Sequence, residues 1–297
     1  MIATDKLSLG ILFPIEAFEG PIPRMDKHAQ IALAQQAEAL GFHTLWVRDV
    51  PLFDPNFRDV GQIYDPWVYL AHIASLTQHI KLGTASMVLP LRHPIHFAKA
   101  AASIDCLFPG RLHLGVASGD RAIEYPAFAK PYTSRSVDFM RQMETLRKLW
   151  SEDFPHYDTS FGKMQGEADF IPKPLNKNIP MYVTGHAGGI NLDWIATNGD
   201  GWIYYPREFT YTKNIIQNWK DALKKHNLPD KPYIQPLYID LVEDPNAEPI
   251  NIELGFRLGR NAFIDLLQTL KLIGVSHGIF ILSLIHISEP TRLRRIS

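Results

Sequence analysis

Three small residues, Thr84, Ala85 and Ser86, sit in the middle of a bulky apolar run, "IKLGTASMVLP" (80–90), and Arg92 and His93 follow at once. A run of this kind reads as a strand inside a sheet, and small side chains near its end leave room for a flat ring. A second polar cluster, Ser118, Gly119, Asp120 and Arg121, ends the run "GRLHLGVASGD" (110–120) and its next residue. The third is "TGHAGG", with Thr184, Gly185, His186, Gly188 and Gly189. Glycine lets a backbone approach a ligand closely, and a helix start just beyond adds partial positive charge. Together they suit a phosphate, and the guanidinium of Arg121 would supply a countercharge. The alternative is a loop that needs glycine only for its turn. Arg48 and Asp49 end a further apolar run, and Tyr204 and Tyr205 another; the two tyrosines are the aromatic residues best placed to wall a pocket.

Other chemistries find less support. His93 and His96 are three apart at a helix start but lack the further ligands and spacing of a metal site. His93 reads instead as a cap, a structural residue or a group facing substrate. "GVASGD" lacks the Gly-x-Ser-x-Gly frame of a strained nucleophile. With 30 basic against 31 acidic residues, no nucleic-acid or membrane-surface partner is expected. The lone cysteine, Cys106, leaves no intramolecular disulfide and reads as a core residue. The start "MIATDKLSLGILFP" is not a signal peptide, and no run approaches the ~20 apolar residues that span a bilayer. A cytoplasmic location is the expectation.

The elements that must carry these residues alternate along the chain. Short apolar runs such as "LSLGILFP", "HTLWVRD", "PMYVTG", "GWIYYP", "YIQPLYIDLV" and "VSHGIFIL" read as strands; between them lie amphipathic helical stretches such as "MDKHAQIALAQQAEALGF" and "RNAFIDLLQTLKLIG". Eight strands and seven helices in alternation imply an α/β fold with a parallel sheet and right-handed crossovers. That count favours a closed (β/α)8 TIM barrel spanning residues 1–282. An open Rossmann-type sheet is the second choice, and no glycine fingerprint follows the first strand to support it. In a barrel the site lies at the C-terminal ends of the strands, where all three polar clusters fall. Residues 151–178 read as an irregular insertion and a candidate lid. The last helix is missing, and residues 283–297, "SLIHISEPTRLRRIS", look like translated sequencing adapter, so the tail is expected to be non-native.

The stretch "LGTASMVLPLRHPIHFAKAAASIDCLFPGRLHLGVASGD" resembles the core signature of the luciferase-like flavin monooxygenase superfamily. "ALAQQAEALGFHTLWVRD", "PMYVTGHAGG" and "NGDGWIYYP" fit the same pattern, and the likeness runs over nearly all of Leu7 to Leu282. The resemblance implies reduced FMN or a deazaflavin bound at the strand C-termini. It places the ring over a non-prolyl cis peptide within Thr84–Ala85–Ser86 and the phosphate by Ser118, Arg121 and "GHAGG". Light-emitting members carry histidine where this chain has Arg48–Asp49, and a reactive cysteine at the place of Ala117, so light emission from a long-chain aldehyde is not implied. Arg48 and Asp49 either pair with each other or bind a polar or anionic substrate; together with His93 they are the catalytic candidates. The leading expectation is a two-component monooxygenase that uses FMN reduced by a separate flavin reductase, O2 and a small-molecule substrate. A deazaflavin-dependent hydride transferase and a non-catalytic flavin- or partner-binding barrel are the alternatives, and a homodimer is the expected assembly.

Overall fold

A computed structural model describes residues 1–15, 27–54, 64–186 and 188–282. The tail 283–297, Ala187 and the part of the first rim segment beyond residue 15 lie outside the described residues. In chain order the elements are β1 (Ser8–Phe13), α1 (Lys27–Ala39), β2 (Thr44–Val47), α2 (Pro66–Leu76), β3 (Lys81–Val88), α3 (Pro94–Leu107), β4 (Leu112–Ala117), α4 (Glu124–Ala127) and α5 (Arg135–Ser151). They continue with β5 (His156–Thr159), β6 (Gly162–Gln165), β7 (Met181–Thr184), α6 (Leu192–Asn198), β8 (Gly201–Ile203), α7 (Phe209–Lys225), β9 (Tyr233–Leu241), β10 (Ile250–Ile252), β11 (Gly255–Leu258), α8 (Arg260–Ile273) and β12 (His277–Leu282).

Parallel pairing runs β1-β2-β3-β4-β7-β8-β9-β12, and β12 pairs back onto β1, closing an eight-stranded barrel. This is the expected (β/α)8 architecture, and helices follow the strands around the outside. Local chemistry sets the helix ends. Asp65 caps α2 by accepting from the Trp67 and Val68 amides, with Pro66 at the first helical position. Gly274, at φ 100°, ends α8 in the left-handed conformation.

Two hairpins depart from the sequence expectation. The insertion 151–178 is not wholly irregular: β5 and β6 pair antiparallel within it. It packs on the outside, where the Leu175 amide donates to Asp105 and Cys106 Sγ donates to the Lys173 carbonyl. The second hairpin, β10–β11, falls in the polar-looking stretch after β9. There β11 pairs in parallel with the C-terminal half of β9, beyond the point where β8 ends, so it extends the barrel wall upward.

The lumen is filled from below. Trp46 and Tyr182 are both fully buried, with Ile234, Ile279 and Leu12 around them. Gly10 and Gly83 make room for the indole. A Cβ on Gly10 would lie 2.5 Å from Trp46 Nε1, and one on Gly83 2.7 Å from Trp46 Cδ2. Beneath the indole is a histidine floor. Trp46 Nε1 donates to His277 Nε2 at 2.9 Å, and His277 Nδ1 contacts Ser8 Oγ at 2.7 Å. His43 lies between His113 and His277, with ring centroids 5.7 and 5.5 Å apart.

Burial pushes His43 down to about 4 and holds His113 and His277 well below the ordinary histidine range. A histidine held neutral in the fold gains its proton more readily when unfolded. Stability is therefore fully present above the unfolded pKa of ~6.5 and falls as pH drops toward 4, by up to ~1.4 kcal/mol per pH unit for each such histidine. Urea unfolding at pH 7, 6, 5 and 4.5 should show this slope. His43→Gln should flatten it relative to wild type; an unchanged slope would remove His43 from the explanation.

Candidate active site

Above this packed layer the strand ends open into a cavity of about 850 Å³. Its floor is apolar, with Leu12, Ile203, Pro236, Ile279 and Ile281. One side is formed by Ala85, Ser86 and Ala117 at the ends of β3 and β4. The β3–β4 register shifts between Thr84 and Met87, and the Ala85–Ser86 peptide is cis, within the segment the resemblance implied. Ala85 and Ser86 are partly exposed, whereas the flanking Gly83, Thr84, Met87 and Val88 of the same strand are buried. Thr84 turns inward instead and donates to the Gly115 carbonyl at 2.8 Å, so it supports the wall without lining it. Ser86 Oγ hydrogen-bonds Thr184 Oγ1 across the lumen.

The polar mouth is built by three turns. Ser118, Gly119 and Arg121 from the β4 turn, Gly185, His186 and Gly188 from the β7 turn, and Arg135 from the start of α5 line the same cavity. Gly188, at φ 83°, touches all three: a Cβ there would lie 3.1 Å from Arg135 Nε and 3.2 Å from Ser118 Oγ, and its carbonyl accepts from Ser136 Oγ at 2.8 Å. The loop offers fewer free donors than its glycine content suggests. The Gly185 amide already donates to the Ile203 carbonyl and the Gly189 amide to that of His186; Gly189 does not line the cavity. Tyr204 also lies off the cavity wall, packed against Trp202 with ring centroids 4.7 Å apart, while its neighbour Tyr205 lines the cavity.

Asp49 is paired, but not with its neighbour Arg48. Its carboxylate accepts from Arg92 NH2 at 2.7 Å, from Arg92 Nε at 3.0 Å and from the Val88 amide at 3.0 Å. Burial works against the Arg92 charge, but Asp49 and then Asp65 outweigh it and raise the guanidinium above its ordinary value. Arg48 lines the cavity, as does one face of Asp49. His93 does not line it. Its Nδ1 accepts from the Ile95 amide at 3.3 Å as the cap of α3, and its Nε2 lies 2.9 Å from the Phe161 carbonyl of the β5–β6 hairpin. The imidazole thus clasps the insertion to α3 behind the wall.

Two groups at the cavity were not among the sequence candidates. Ile252, Glu253 and Leu254, at the tip of the β10–β11 hairpin, form part of the wall, whereas no residue of the insertion 151–178 does. A hairpin after β9, not the expected lid segment, covers that side, and Asp240 ties it down by accepting from Arg257 Nε at 2.5 Å. The other is Glu124, on the wall and 1% exposed. Burial, reinforced by Asp49 and Asp120 and opposed by Arg121, pushes its carboxyl up to about 7. Four residues past Asp120, it lies in a short helix with no motif to announce it.

The luciferase-like monooxygenase family model matches residues 7–246, and the chain belongs to that family. Its members use flavin or the deazaflavin F420 as oxidoreductase cofactors. An uncharacterised protein of Mycobacterium tuberculosis is 33% identical over 215 residues, 67% of this chain and 76% of that one. An F420-dependent glucose-6-phosphate dehydrogenase of Gordonia bronchialis is 28% identical, over 78% of this chain and 69% of its own. The oxygenase component of a flavin-dependent trigonelline monooxygenase from Acinetobacter baylyi is 31% identical, over 52% of this chain and 41% of its own. Among solved structures, an F420-dependent secondary alcohol dehydrogenase superposes with a TM-score of 0.75 at 16% identity, over 93% of each chain, a likeness of fold. No helix among the described residues is long and apolar enough to cross a membrane.

The Asp49 pair has a direct test. Asp49 is buried and its loss leaves Arg92 without its main partner, so Asp49→Ala should cost about 3 kcal/mol, measured by urea unfolding at pH 7. A change under ~0.5 kcal/mol would show that the pair is not what joins the ends of β2 and β3.

Proposed function

We propose that this chain is the oxygenase of a two-component FMN monooxygenase acting on a small, largely apolar organic molecule. The observation that carries the reading is the partly exposed surface of the small residues Ala85 and Ser86 on an apolar chamber with a polar mouth. The residues present fit the cofactor. The small side chains of Ala85, Ser86 and Ala117 suit a flat ring; Ser118 Oγ and Arg135 flank Gly188, a position that suits a phosphate, and Arg121 lines the same cavity. When bound, reduced FMN supplies the electrons for O2 chemistry. The chain's own residues do the rest: Leu12, Ile203, Ile279 and Ile281 exclude water, and the β10–β11 tip narrows the space left for substrate. A flavin reductase is the partner this reading requires, and the Acinetobacter relative, named as an oxygenase component, supports it.

A second reading, F420-dependent hydride transfer, is favoured by a different observation. Among the described residues Arg48, Arg121, Arg135 and Arg207 line the cavity, and a basic rim of this kind suits the longer anionic tail of a deazaflavin coenzyme. The Gordonia relative supports it.

Titrations with FMN and with F420, followed by oxygen uptake with a reductase present, separate the two. FMN binding with substrate-dependent uptake is expected. Tighter F420 binding without uptake transfers the assignment to the second reading, and ligand binding with neither activity transfers it to a non-catalytic barrel. Ala85→Leu should weaken FMN binding at least 100-fold while far-UV circular dichroism is unchanged; unaltered affinity would refute the ring position.

A further inference from the structure

Glu124 is placed as few surface carboxylates are. It is 1% exposed yet lies on the cavity wall. The backbone of Leu52, in the loop after β2, favours its carboxylate form, and Oε1 has no hydrogen-bond partner among the described residues. A buried charged oxygen without a partner is costly, so the group either stays protonated or finds its partner in a molecule that enters the cavity.

We propose that Glu124 is the acid–base group of this cavity, exchanging a proton with an oxygen atom of the small organic substrate. The proposal rests on the reading of the cavity as the active site of a flavin or deazaflavin oxidoreductase and extends it to the substrate class, an organic molecule whose reacting carbon bears a hydroxyl or carbonyl oxygen. The step balances simply. As a substrate oxygen gains electron density, the O–H bond of Glu124 breaks, its proton bonds to that oxygen, and the carboxylate keeps the electron pair. In the reverse direction the carboxylate takes the hydroxyl proton.

The surroundings support both states. From its own loop, Arg121 favours the carboxylate and Asp120 disfavours it; from the end of β2, Asp49 disfavours it, with Arg92 offsetting part of that charge from the far side. Arg48, Arg135, Tyr132 and His186 lie around the same cavity. The sum leaves the carboxyl at about 7, where it can give or accept a proton at neutral pH.

The test is a titration of the whole chain labelled with 13C at the glutamate carboxyl carbon. One resonance should titrate near pH 7 and vanish in Glu124→Gln; if every resonance titrates in the ordinary range around 4 to 5, the proposal is overturned. The wild-type titration alone decides this point should the variant not fold. The second measurement is calorimetric binding of FMN and of F420 at pH 7 in two buffers of different ionisation enthalpy. Net proton uptake or release per site should differ between wild type and Glu124→Gln by a measurable fraction of a proton, and Glu124→Asp should restore part of the difference. Identical proton counts would show that the carboxyl does not communicate with the ligand and would overturn the proposal. A resonance near 7 in a protein that binds neither cofactor would sink the flavin reading while leaving the carboxyl assignment in place.

Discussion

The structure turns on how an eight-stranded barrel distributes side-chain volume along its axis. Such a barrel is just wide enough for inward side chains to fill it, so a chamber exists only where strands give up volume. Here the lower layer is overfilled in composition, with Trp46 and Tyr182 side by side, and glycines at positions 10 and 83 yield the space they need. The upper layer is the reverse on one side: Ala85, Ser86 and Ala117 stand where a barrel of this size would hold bulkier residues. The indole is the boundary. It is anchored by a hydrogen bond downward to His277, so the chamber has a rigid floor.

Emptying the top of a strand removes the contacts that would hold it, and the chain compensates with polar ties. Asp49 binds both the Val88 amide and Arg92, joining the end of β2 to the end of β3 beyond the small residues. Ser86 and Thr184 bridge the lumen, and Tyr125 OH donates to the Ser118 carbonyl beneath the β4 turn. Residues whose types invite a catalytic reading are thus spent on holding the mouth open. Asp49 serves in this way, His93 ties the insertion to α3 behind the wall, and Glu124 Oε1 has no partner among the described residues.

Much of the fold was legible because hydrophobic period reports burial directly. Eight apolar runs separated by amphipathic helices leave few alternatives to a barrel, and the three polar clusters fall on one rim by topology alone. What could not be read depends on contacts between distant segments. Asp49 finds its partner 43 positions on, and no local pattern announces it. Tyr204 and Tyr205 follow a strand of only three residues, all buried, which is too short for alternation to tell which ring faces the cavity. The stretch "EDPNAEPINIELGFRL" carries two strands of only three and four residues, too short for period 2 to announce them. Ionisation at Glu124 is a property of its burial, and burial of an isolated glutamate in a four-residue helix leaves no trace in composition.

The rim charges link the cofactor question to the carboxyl. Four arginines line the cavity against Asp120, Glu124 and Glu253, with Asp49 already neutralised by Arg92. With Glu124 protonated, the balance shifts by one further unit toward positive, which favours an anionic ligand. Coupling of this kind is reciprocal: an anion that binds better to the protonated form must in turn raise the proton affinity of Glu124. Under the proposed reading, a phosphate-bearing cofactor bound on this rim would raise the proton affinity of Glu124 before substrate arrives. The same linkage applies to FMN and to a deazaflavin, so the proposed role of Glu124 does not depend on which of the two proposed cofactors binds.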